Sequence, residues 1–308
     1  MNSEPVVLLA IGEALIDVVR RDNGDVAHPG GSPMNVAIGA ARLGVPAALS
    51  TRYGQDNFGA LIDAHTADSH VSLTPNSRGA AKTSTATATI GSEGAASYVF
   101  DIEWDWTDDI DFTPKAVHTG SIGAVLSPGG SNVLAAIERL RATSIVSYDP
   151  NARPKLMGDR ADAVAIVERY VRLADLIKAS DEDLEWLYPD RTPVDTAKAW
   201  ALMGPAFVIV TAGGTGATVV TSDDSISEHH APRVEVADTI GAGDSFMAGL
   251  LASMHHRGIL DVSQRGALHA LTDATIAALV SDALSCAAIT VQRPGANPPR
   301  SSEVEIGR

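Results

Sequence analysis

The sequence is poor in cysteine and in positive charge. Its 308 residues include one cysteine, Cys286, which excludes an internal disulfide and a thiolate metal cluster. Lys and Arg number 23 against 38 Asp and Glu, so the net charge of −15 argues against nucleic acid or an anionic membrane as a partner. An anionic substrate would have to be bound by main-chain amides and a local cation rather than by a basic surface.

Long apolar runs and several common catalytic motifs are also missing. The apolar runs at residues 6–11 and 283–291 are too short to cross a bilayer, and no signal-peptide pattern is visible, so we expect a soluble cytoplasmic protein. No lysine follows a glycine, and Gly-x-Gly-x-x-Gly, Gly-x-Ser-x-Gly and His-Glu-x-x-His are absent. The sequence therefore lacks the motifs that usually indicate a P-loop enzyme, a dehydrogenase, a serine hydrolase of the Gly-x-Ser-x-Gly type or a zincin.

What is present is an ordinary globular composition, 45% hydrophobic, in which strand and helix patterns alternate. Strands are predicted at residues 6–11, 116–118, 145–148, 176–178 and 207–210, and helices at 34–43, 132–141, 161–174, 196–203, 246–256 and 268–288. This alternation predicts an α/β fold with a doubly wound, mostly parallel sheet flanked by helices. Two more polar hairpins, with turns at residues 22–24 and 91–94, are predicted to form a small separate sheet.

The segment 238–246 carries the strongest chemical signal. Gly241 and Gly243 let the main chain approach a ligand closely, and the start of the following helix offers unpaired N–H groups to an anion such as phosphate. Asp244 places a carboxylate at this anion site. That position suits a base that removes the proton from a hydroxyl as the hydroxyl attacks a phosphoryl group. Read by itself, an Asp at a helix start such as Asp244 is most often a simple helix cap.

Other polar segments lie at predicted loop positions. Residues 28–37 combine the pair Gly30-Gly31 with Asn35 before a helix, which suits either a ligand loop or a helix cap. Asp149, Asn151 and Arg153 follow a predicted strand, and ligands bind at the carboxyl ends of strands in open α/β sheets.

Segments 238–246 and 28–37 closely resemble the C-terminal and N-terminal signatures of the ribokinase-like (PfkB) family of carbohydrate kinases. The resemblance extends from Gly12 to Ala296. It implies a ribokinase-like fold and ATP-dependent phosphorylation of a sugar hydroxyl. In that family the matching carboxylate is the catalytic base, here Asp244. The Gly241, Ala242 and Gly243 segment before it forms the anion hole for the transferred phosphoryl group.

The resemblance also implies a set of sugar-binding residues. They are Asp17, Gly30, Gly31 and Asn35, with Asp149, Asn151 and Arg153 lining the cleft near the sugar and phosphates. These segments look most like those of fructokinases, so D-fructose is the expected substrate. The alternatives are 2-keto-3-deoxygluconate, whose carboxylate Arg153 would pair with, and ribose. A non-catalytic sugar-binding homologue is the alternative of a different class.

For the nucleotide end, the resemblance implies a loop at Thr211, Gly213 and Gly216. Ser180 and Asp183 stand where many relatives have Asn-x-x-Glu, which organises Mg²⁺ through water, although an acidic helix start explains this region equally well. Asp238 and the carbonyl of Ile240 match a site for a monovalent cation, with K⁺ as the expected activator.

The expected organisation is a single kinase domain over residues 1–308. Its lid would be formed by segments at about 13–30 and 83–106, and a homodimer through the lid is a possible assembly. Trp104 and Trp106 would either stack on the sugar or pack the lid onto its base.

Overall fold

The computed structural model describes residues 5–20, 24–90 and 96–307; the predicted turn at 91–94, and Asp22 and Asn23 of the turn at 22–24, lie outside these ranges. The strands are β1 (Leu8–Ile11), β2 (Leu15–Arg20), β3 (Val26–Gly30), β4 (Ala47–Ser50), β5 (Ser72–Leu73), β6 (Thr85–Ile90), β7 (Ala96–Asp101), β8 (Ala116–Gly120), β9 (Ile145–Asp149), β10 (Leu176–Ser180), β11 (Phe207–Thr211), β12 (Gly216–Thr221) and β13 (Ile226–His230). The helices are α1 (Ser32–Arg42), α2 (Asn57–Asp68), α3 (Gly129–Leu140), α4 (Pro154–Met157), α5 (Arg160–Leu173), α6 (Asp181–Leu187), α7 (Pro193–Ala201), α8 (Ala242–His256), α9 (Arg265–Leu268) and α10 (Asp273–Thr290).

The large sheet has the strand order β13-β12-β11-β10-β9-β8-β1-β4-β5. All neighbouring pairs from β5 to β11 are parallel, while β12 and β13 pair antiparallel at the edge. Its central strands β1, β8 and β9 are fully buried because helices cover both faces. The predicted doubly wound α/β fold is therefore confirmed.

The chain order reverses direction in the sheet between β1 and β8. From β1 the chain moves outward through β4 and β5, and it then returns to β8 and continues outward on the other side through β9, β10 and β11. A crevice opens at the carboxyl ends of strands at such a switch point, where ligands bind in this class of sheet.

The small sheet has the order β3-β2-β6-β7, so the two predicted hairpins do associate. It is less polar than expected on one face, because Ile16 and Val18 of β2 are buried in the core. Beyond β7, Trp104 and Trp106 belong to the main core: their indole N–H groups donate to the carbonyl of Gly123 and to Ser50 Oγ. The tryptophans thus pack beneath the small sheet rather than on a ligand.

Small residues bring three helices close together under the site. A Cβ on Gly39 of α1 would lie 2.6 Å from the methyl of Ala248 in α8, and one on Gly249 would lie 2.8 Å from Cys286 Sγ in α10. Helix α10 is apolar and long enough to cross a membrane by length and composition, but it packs on α8 in the core. Cys286 is buried there.

The largest differences from the predicted helix boundaries lie in the C-terminal third of the chain. The helix expected at residues 268–288 is divided into α9 and α10, because the Thr272 hydroxyl accepts the N–H of Thr275 and begins a new helix. Helix α8 begins at Ala242 rather than at Phe246, since Gly241 adopts the left-handed conformation with φ 75° and ends the turn early. Asp244 consequently lies in the first turn of α8.

Candidate active site

A cleft of about 1120 Å³ runs along the carboxyl edge of the large sheet. The small sheet forms one wall through Leu15, Asp17 and Phe100, and the first turn of α8 forms part of the floor. Of the residues singled out in the sequence, the cleft brings together Asp17, Gly31, Asn35, Asn151, Arg153, Ser180, Asp183, Thr211, Gly213, Ile240, Gly241, Ala242, Gly243 and Asp244. Gly30, Asp149, Gly216 and Asp238 do not line it.

Asp244 is held by two side chains of α1. Ser32 Oγ donates to Oδ1 at 2.6 Å and Asn35 Nδ2 donates to Oδ2 at 2.8 Å. The carboxylate is 8% exposed and faces the cleft. Both oxygens are therefore fixed in direction while one edge of the group stays accessible, an arrangement suited to a base.

The first turn of α8 offers main-chain donors to the same space. In the described part of the chain, the N–H groups of Gly243 and Asp244 have no acceptor, as expected at a helix start. The N–H of Ala242, expected to belong to the anion hole, instead donates to the carbonyl of Thr239 at 3.3 Å. The helix dipole adds partial positive charge at this point. The turn can therefore bind an oxyanion beside Asp244.

The loop before α1 is fixed by a close main-chain contact. Gly31 has φ +118°, and a Cβ there would lie 2.4 Å from the carbonyl oxygen of Glu13. The following Ser32 begins α1 and reaches Asp244, a role that the sequence did not suggest. Asn35 Oδ1 is buried and has no hydrogen-bond partner among the described residues, so it remains available to a ligand hydroxyl.

The sugar end predicted from the sequence is more open. Asp17 is exposed to the cleft, yet the surrounding walls exclude enough water to raise the pKa of its carboxyl, an effect that Arg153 and His28 oppose. Gly30 provides room for this carboxylate, because a Cβ there would lie 2.2 Å from Asp17 Oδ2. Arg153 is exposed, and its Nη1 donates to the main chain and side chain of Asn151 and to the carbonyl of Ala152.

Asp149 departs from its expected position on the cleft wall. It is fully buried at the end of β9, where its carboxylate forms an ion pair with Lys178 of β10 at 2.7 Å. Burial raises the pKa of Asp149 to about 6, against the opposing effect of Lys178. Lys178 itself lines the cleft floor, although the sequence showed it only as the end of an apolar strand.

Ser180 and Asp183 form a reciprocal cap at the start of α6. Ser180 Oγ accepts the N–H of Asp183 at 3.0 Å, and Asp183 Oδ2 accepts the N–H of Ser180 at 3.0 Å. Asp183 Oδ1 also accepts the N–H of Ala152 at 2.7 Å. The pair therefore joins α6 to the loop after β9, and both carboxylate oxygens already hold main-chain donors.

The end of the cleft expected to bind the nucleotide is built from the loop after β11 and the loop before α8. Thr211 and Gly213 line the cleft, whereas Gly216 packs against β13, where a Cβ would lie 2.0 Å from the carbonyl of His229. Asp238 accepts the N–H of Ile240 at 3.0 Å and that of Gly295 at 2.8 Å. This carboxylate ties together the two loops of the expected cation site.

Glu13, at the end of β1, is a further buried acid that the sequence reading did not assign. Its Oε2 accepts the N–H of Gly123 at 2.8 Å, and the residue is 5% exposed at the cleft. Burial raises the pKa of Glu13 to about 7, with hydrogen bonds from Ser121 and Gly123 and the charge of Arg153 acting in the opposite direction.

Comparisons with known proteins agree with this site. The model of the pfkB family of carbohydrate kinases matches residues 7–303. The chain is 33% identical over 279 residues to a fructokinase of Rhizobium leguminosarum bv. trifolii, covering 85% of this chain and 84% of that protein.

Two solved structures have a similar fold. A double mutant of the fructokinase from Vibrio cholerae O395, with fructose, ADP and potassium bound, is 27% identical with a TM-score of 0.75, covering 96% of this chain and 95% of that chain. A sugar kinase of Pyrococcus horikoshii in complex with ATP is 25% identical with a TM-score of 0.75, covering 97% of each chain. These similarities support a sugar kinase that uses ATP and a metal ion.

Proposed function

The chain belongs to the pfkB family of carbohydrate kinases, and we propose that it transfers the γ-phosphoryl group of ATP to a hydroxyl of D-fructose. The single observation that carries the kinase assignment is Asp244, fixed by Ser32 and Asn35 beside the free N–H groups of α8. The choice of fructose rests on the similarity to the Rhizobium fructokinase and on the fructokinase-like segments around Asp17 and Asn35.

The sugar would lie between the small sheet and α1. Asp17 accepts hydrogen bonds from two sugar hydroxyls, and Asn35 accepts a third through its unpartnered Oδ1. This placement directs the acceptor hydroxyl toward Asp244. The small sheet acts as a lid that excludes water, which would otherwise compete as phosphoryl acceptor.

The transfer step uses Asp244 and the N–H groups beside it. Asp244 accepts the proton of the acceptor hydroxyl, whose oxygen forms a bond to the γ-phosphorus as the bond to the ADP oxygen breaks. The amides of Gly243 and Asp244 donate to the equatorial oxygens and stabilise the charge of the transition state.

Mg²⁺ would enter with ATP rather than bind to a protein cage. The described residues contain no group of three His, Cys, Asp or Glu side chains that could hold a metal. Since both oxygens of Asp183 hold main-chain N–H groups, Asp183 and Ser180 would act on the ion only through water. When bound, Mg²⁺ neutralises charge on the phosphates.

The loops tied by Asp238 are proposed to hold K⁺ with help from the Ile240 carbonyl. Potassium is bound in the Vibrio cholerae fructokinase structure, and in this chain the Asp238 carboxylate joins the loops that contain Ile240 and Gly295. Replacing K⁺ by choline in the assay buffer should lower kcat severalfold. An unchanged rate would remove K⁺ from the mechanism.

A homodimer through the lid is proposed from the exposed apolar side chains on its two edge strands. The edge strands β3 and β7 expose Val26 and Val99, which are 41% and 64% exposed. Light scattering of the protein and of Val99→Lys would test this assembly: the variant should shift toward monomer, and a wild-type monomer at micromolar concentration would exclude it.

2-Keto-3-deoxygluconate is the second candidate substrate because of Arg153. Nη1 makes all the recorded hydrogen bonds of this guanidinium among the described residues, so Nε and Nη2 remain for a substrate carboxylate. Ribose has no comparable observation in its favour.

The test of function is ADP release with Mg·ATP in K⁺ buffer across D-fructose, 2-keto-3-deoxygluconate, D-ribose and D-glucose. We expect fructose to give kcat/KM of about 10⁴ M⁻¹s⁻¹ or more. A preference for the keto acid would reassign the substrate. A thermal shift with sugar but no ADP release with any of them would instead indicate a non-catalytic sugar-binding homologue.

A further inference from the structure

The loop before α8 is held by the segment that follows α10. Residues 291–301 form this segment, the C-terminal strap. The carbonyl of Val291 accepts the N–H of Ala237 at 2.8 Å and that of Asp238 at 3.1 Å. Farther along the strap, the N–H of Gly295 donates to Asp238 Oδ2 at 2.8 Å. The strap therefore accompanies the loop toward the start of α8.

The C-terminal strap also packs directly on the turn that begins α8. A Cβ built on Gly241 would lie 2.6 Å from the Cβ of Ala296 and 2.8 Å from its Cα. Gly241 has φ +75°, and Ala296 occupies the space that a side chain at this left-handed position would need. The turn that presents the N–H groups of Gly243 and Asp244 therefore rests against the strap.

Arg42, the last residue of α1, fastens the C-terminal strap. Its Nη1 donates to Asn297 Oδ1 at 2.8 Å and to the carbonyl of Pro298 at 3.0 Å. Its own carbonyl accepts the N–H of Ser301 at 2.9 Å. On the other side Nε donates to Ser69 Oγ at 2.9 Å, which fixes the plane of the guanidinium. The side chain is 7% exposed, so this junction is part of the packed interior.

Helix α1 thereby supports the candidate site in two ways. Ser32 and Asn35, in its first turn, hold the two carboxylate oxygens of Asp244. Arg42, at its other end, holds the strap that packs on Gly241. The carboxylate and the main-chain donors beside it are therefore both referred to the same helix.

We propose that Arg42 is a positioning residue for phosphoryl transfer, which acts through the C-terminal strap on the first turn of α8. The inference rests on the proposed kinase function. Arg42 does not line the cleft, so it acts without touching either substrate. It keeps the N–H groups of Gly243 and Asp244 in register with the Asp244 carboxylate. A misplacement of such groups by about 1 Å is enough to lower a rate roughly 100-fold.

The alternative role for Arg42 is stabilisation of the fold alone, and Arg265 provides the matched control. Its guanidinium binds Asp175 at 2.7 and 3.1 Å, and its Nη2 donates to the carbonyls of Arg141 and Ser144. These partners lie before β9 and β10, at the edge of the sheet opposite the cleft. In both positions a change to lysine keeps the charge and loses the fork of donors.

The first readout is steady-state kinetics of Arg42→Lys and Arg265→Lys with the accepted sugar, with thermal unfolding as the measure of stability. We expect kcat of Arg42→Lys to fall roughly tenfold or more, with the sugar KM within about threefold of the wild type. Arg265→Lys should keep the wild-type kcat. An unchanged kcat in Arg42→Lys would overturn the proposal, as would an equal loss in both variants, because stability alone would then explain it.

Asn297 tests the same junction from the C-terminal strap. Its side chain is exposed, so replacing it should cost little stability. Asn297→Ala removes an acceptor of Arg42 Nη1, whereas Asn297→Asp offers a carboxylate that forms a charge-assisted hydrogen bond. We expect kcat to fall severalfold in Asn297→Ala and to stay within about twofold of the wild type in Asn297→Asp. Equal rates in the two variants, or the reverse order, would contradict the proposal.

The second readout is hydrogen exchange of the ligand-free protein, which requires neither sugar nor turnover. The amides of residues 237–245 should exchange severalfold faster in Arg42→Lys than in the wild type, and Arg265→Lys should leave them unchanged. Unchanged exchange of this segment in Arg42→Lys would also overturn the proposal. If the wild type turned over no sugar but showed this protection by Arg42, the proposed function would fail while the link between α1 and the turn would stand.

Discussion

The two ends of the cleft are built in different ways. At the proposed phosphoryl end, Asp244, Lys178 and Asp149 are at most 8% exposed and are held by short contacts to other buried groups. At the proposed sugar end, Asp17 and Arg153 are exposed, and the recorded hydrogen bonds of Arg153 among the described residues go to its own loop. The core fixes the side chains at the first end, whereas the positions of the side chains at the second end depend on the ligand that binds there.

This difference explains why the reaction class is easier to assign than the substrate. Groups that must meet the developing charge of the transition state gain from being fixed in advance, since no reorganisation is then needed during transfer. Groups that select the sugar can remain on an exposed sheet and a loop, where changes cost little stability. The predictions below test each side of this contrast.

The largest effect is expected at the centre of the fixed end. Asp244→Asn keeps the size of the side chain and can still hydrogen-bond Ser32 and Asn35, but it cannot accept the proton of the sugar hydroxyl. We expect kcat to fall by about 10³-fold or more, with sugar binding by calorimetry within severalfold of the wild type. A variant that retained near wild-type kcat would show that Asp244 is not the base.

Glu13 is a buried acid that lines the cleft, and its titration can be tested through the pH dependence of stability. Its pKa is raised from 4.5 to about 7, so the folded chain holds the proton more tightly than the unfolded chain. The stabilising effect of the protonated carboxyl is therefore complete below pH 4.5 and is lost as the pH rises through about 7. A shift of that size corresponds to roughly 3 kcal/mol in the free energy of unfolding.

Glu13→Gln should remove this pH dependence, because the amide oxygen can still accept the N–H of Gly123. Urea unfolding at about pH 5 and about pH 8, on either side of the raised pKa, measures it. The wild type should lose stability relative to the variant between these values, and parallel curves for the two proteins would mean that Glu13 does not titrate in this range.

The exposed side of the contrast is tested by Asp17→Asn. Loss of a charged acceptor for sugar hydroxyls is worth about 1.5–3 kcal/mol, so the sugar KM should rise roughly 10- to 100-fold while kcat changes much less. Unfolding should be almost unaffected because the side chain is exposed. A fall in kcat at constant KM would place Asp17 in the transfer step instead and would weaken the contrast between the two ends.

Local patterns in the sequence predicted most of the fold and the centre of the site. The alternation of apolar strands and helices predicted the parallel sheet, and the glycines around Asp244 predicted a helix start open to an anion. Periodicity could not predict the break before Asp273, since one hydroxyl at Thr272 decides it. Nor could it predict that Trp104 and Trp106 leave the small sheet for the main core.

The residues that the sequence did not reveal act through contacts between distant segments. Ser32 and Asp244 are 212 positions apart, and nothing near either residue indicates that they meet. Lys178 lies within β10, and its sequence neighbours do not indicate which distant groups its side chain meets. One signal was present in the sequence: Lys178 is a charged residue within a run that must be buried on both faces. Such a group requires a partner or a function.

The smallest effect is expected for Ser180, where the structure and the family resemblance favour different roles. The hydroxyl caps α6, so Ser180→Ala should lower the free energy of unfolding by about 1 kcal/mol and leave kcat and the Mg²⁺ dependence of the rate unchanged. Thr192, which caps α7 away from the cleft, supplies the control as Thr192→Ala. If Ser180→Ala instead raised the Mg²⁺ requirement while the control did not, the fixed end of the cleft would extend to the metal, and Ser180 would orient the water that reaches it.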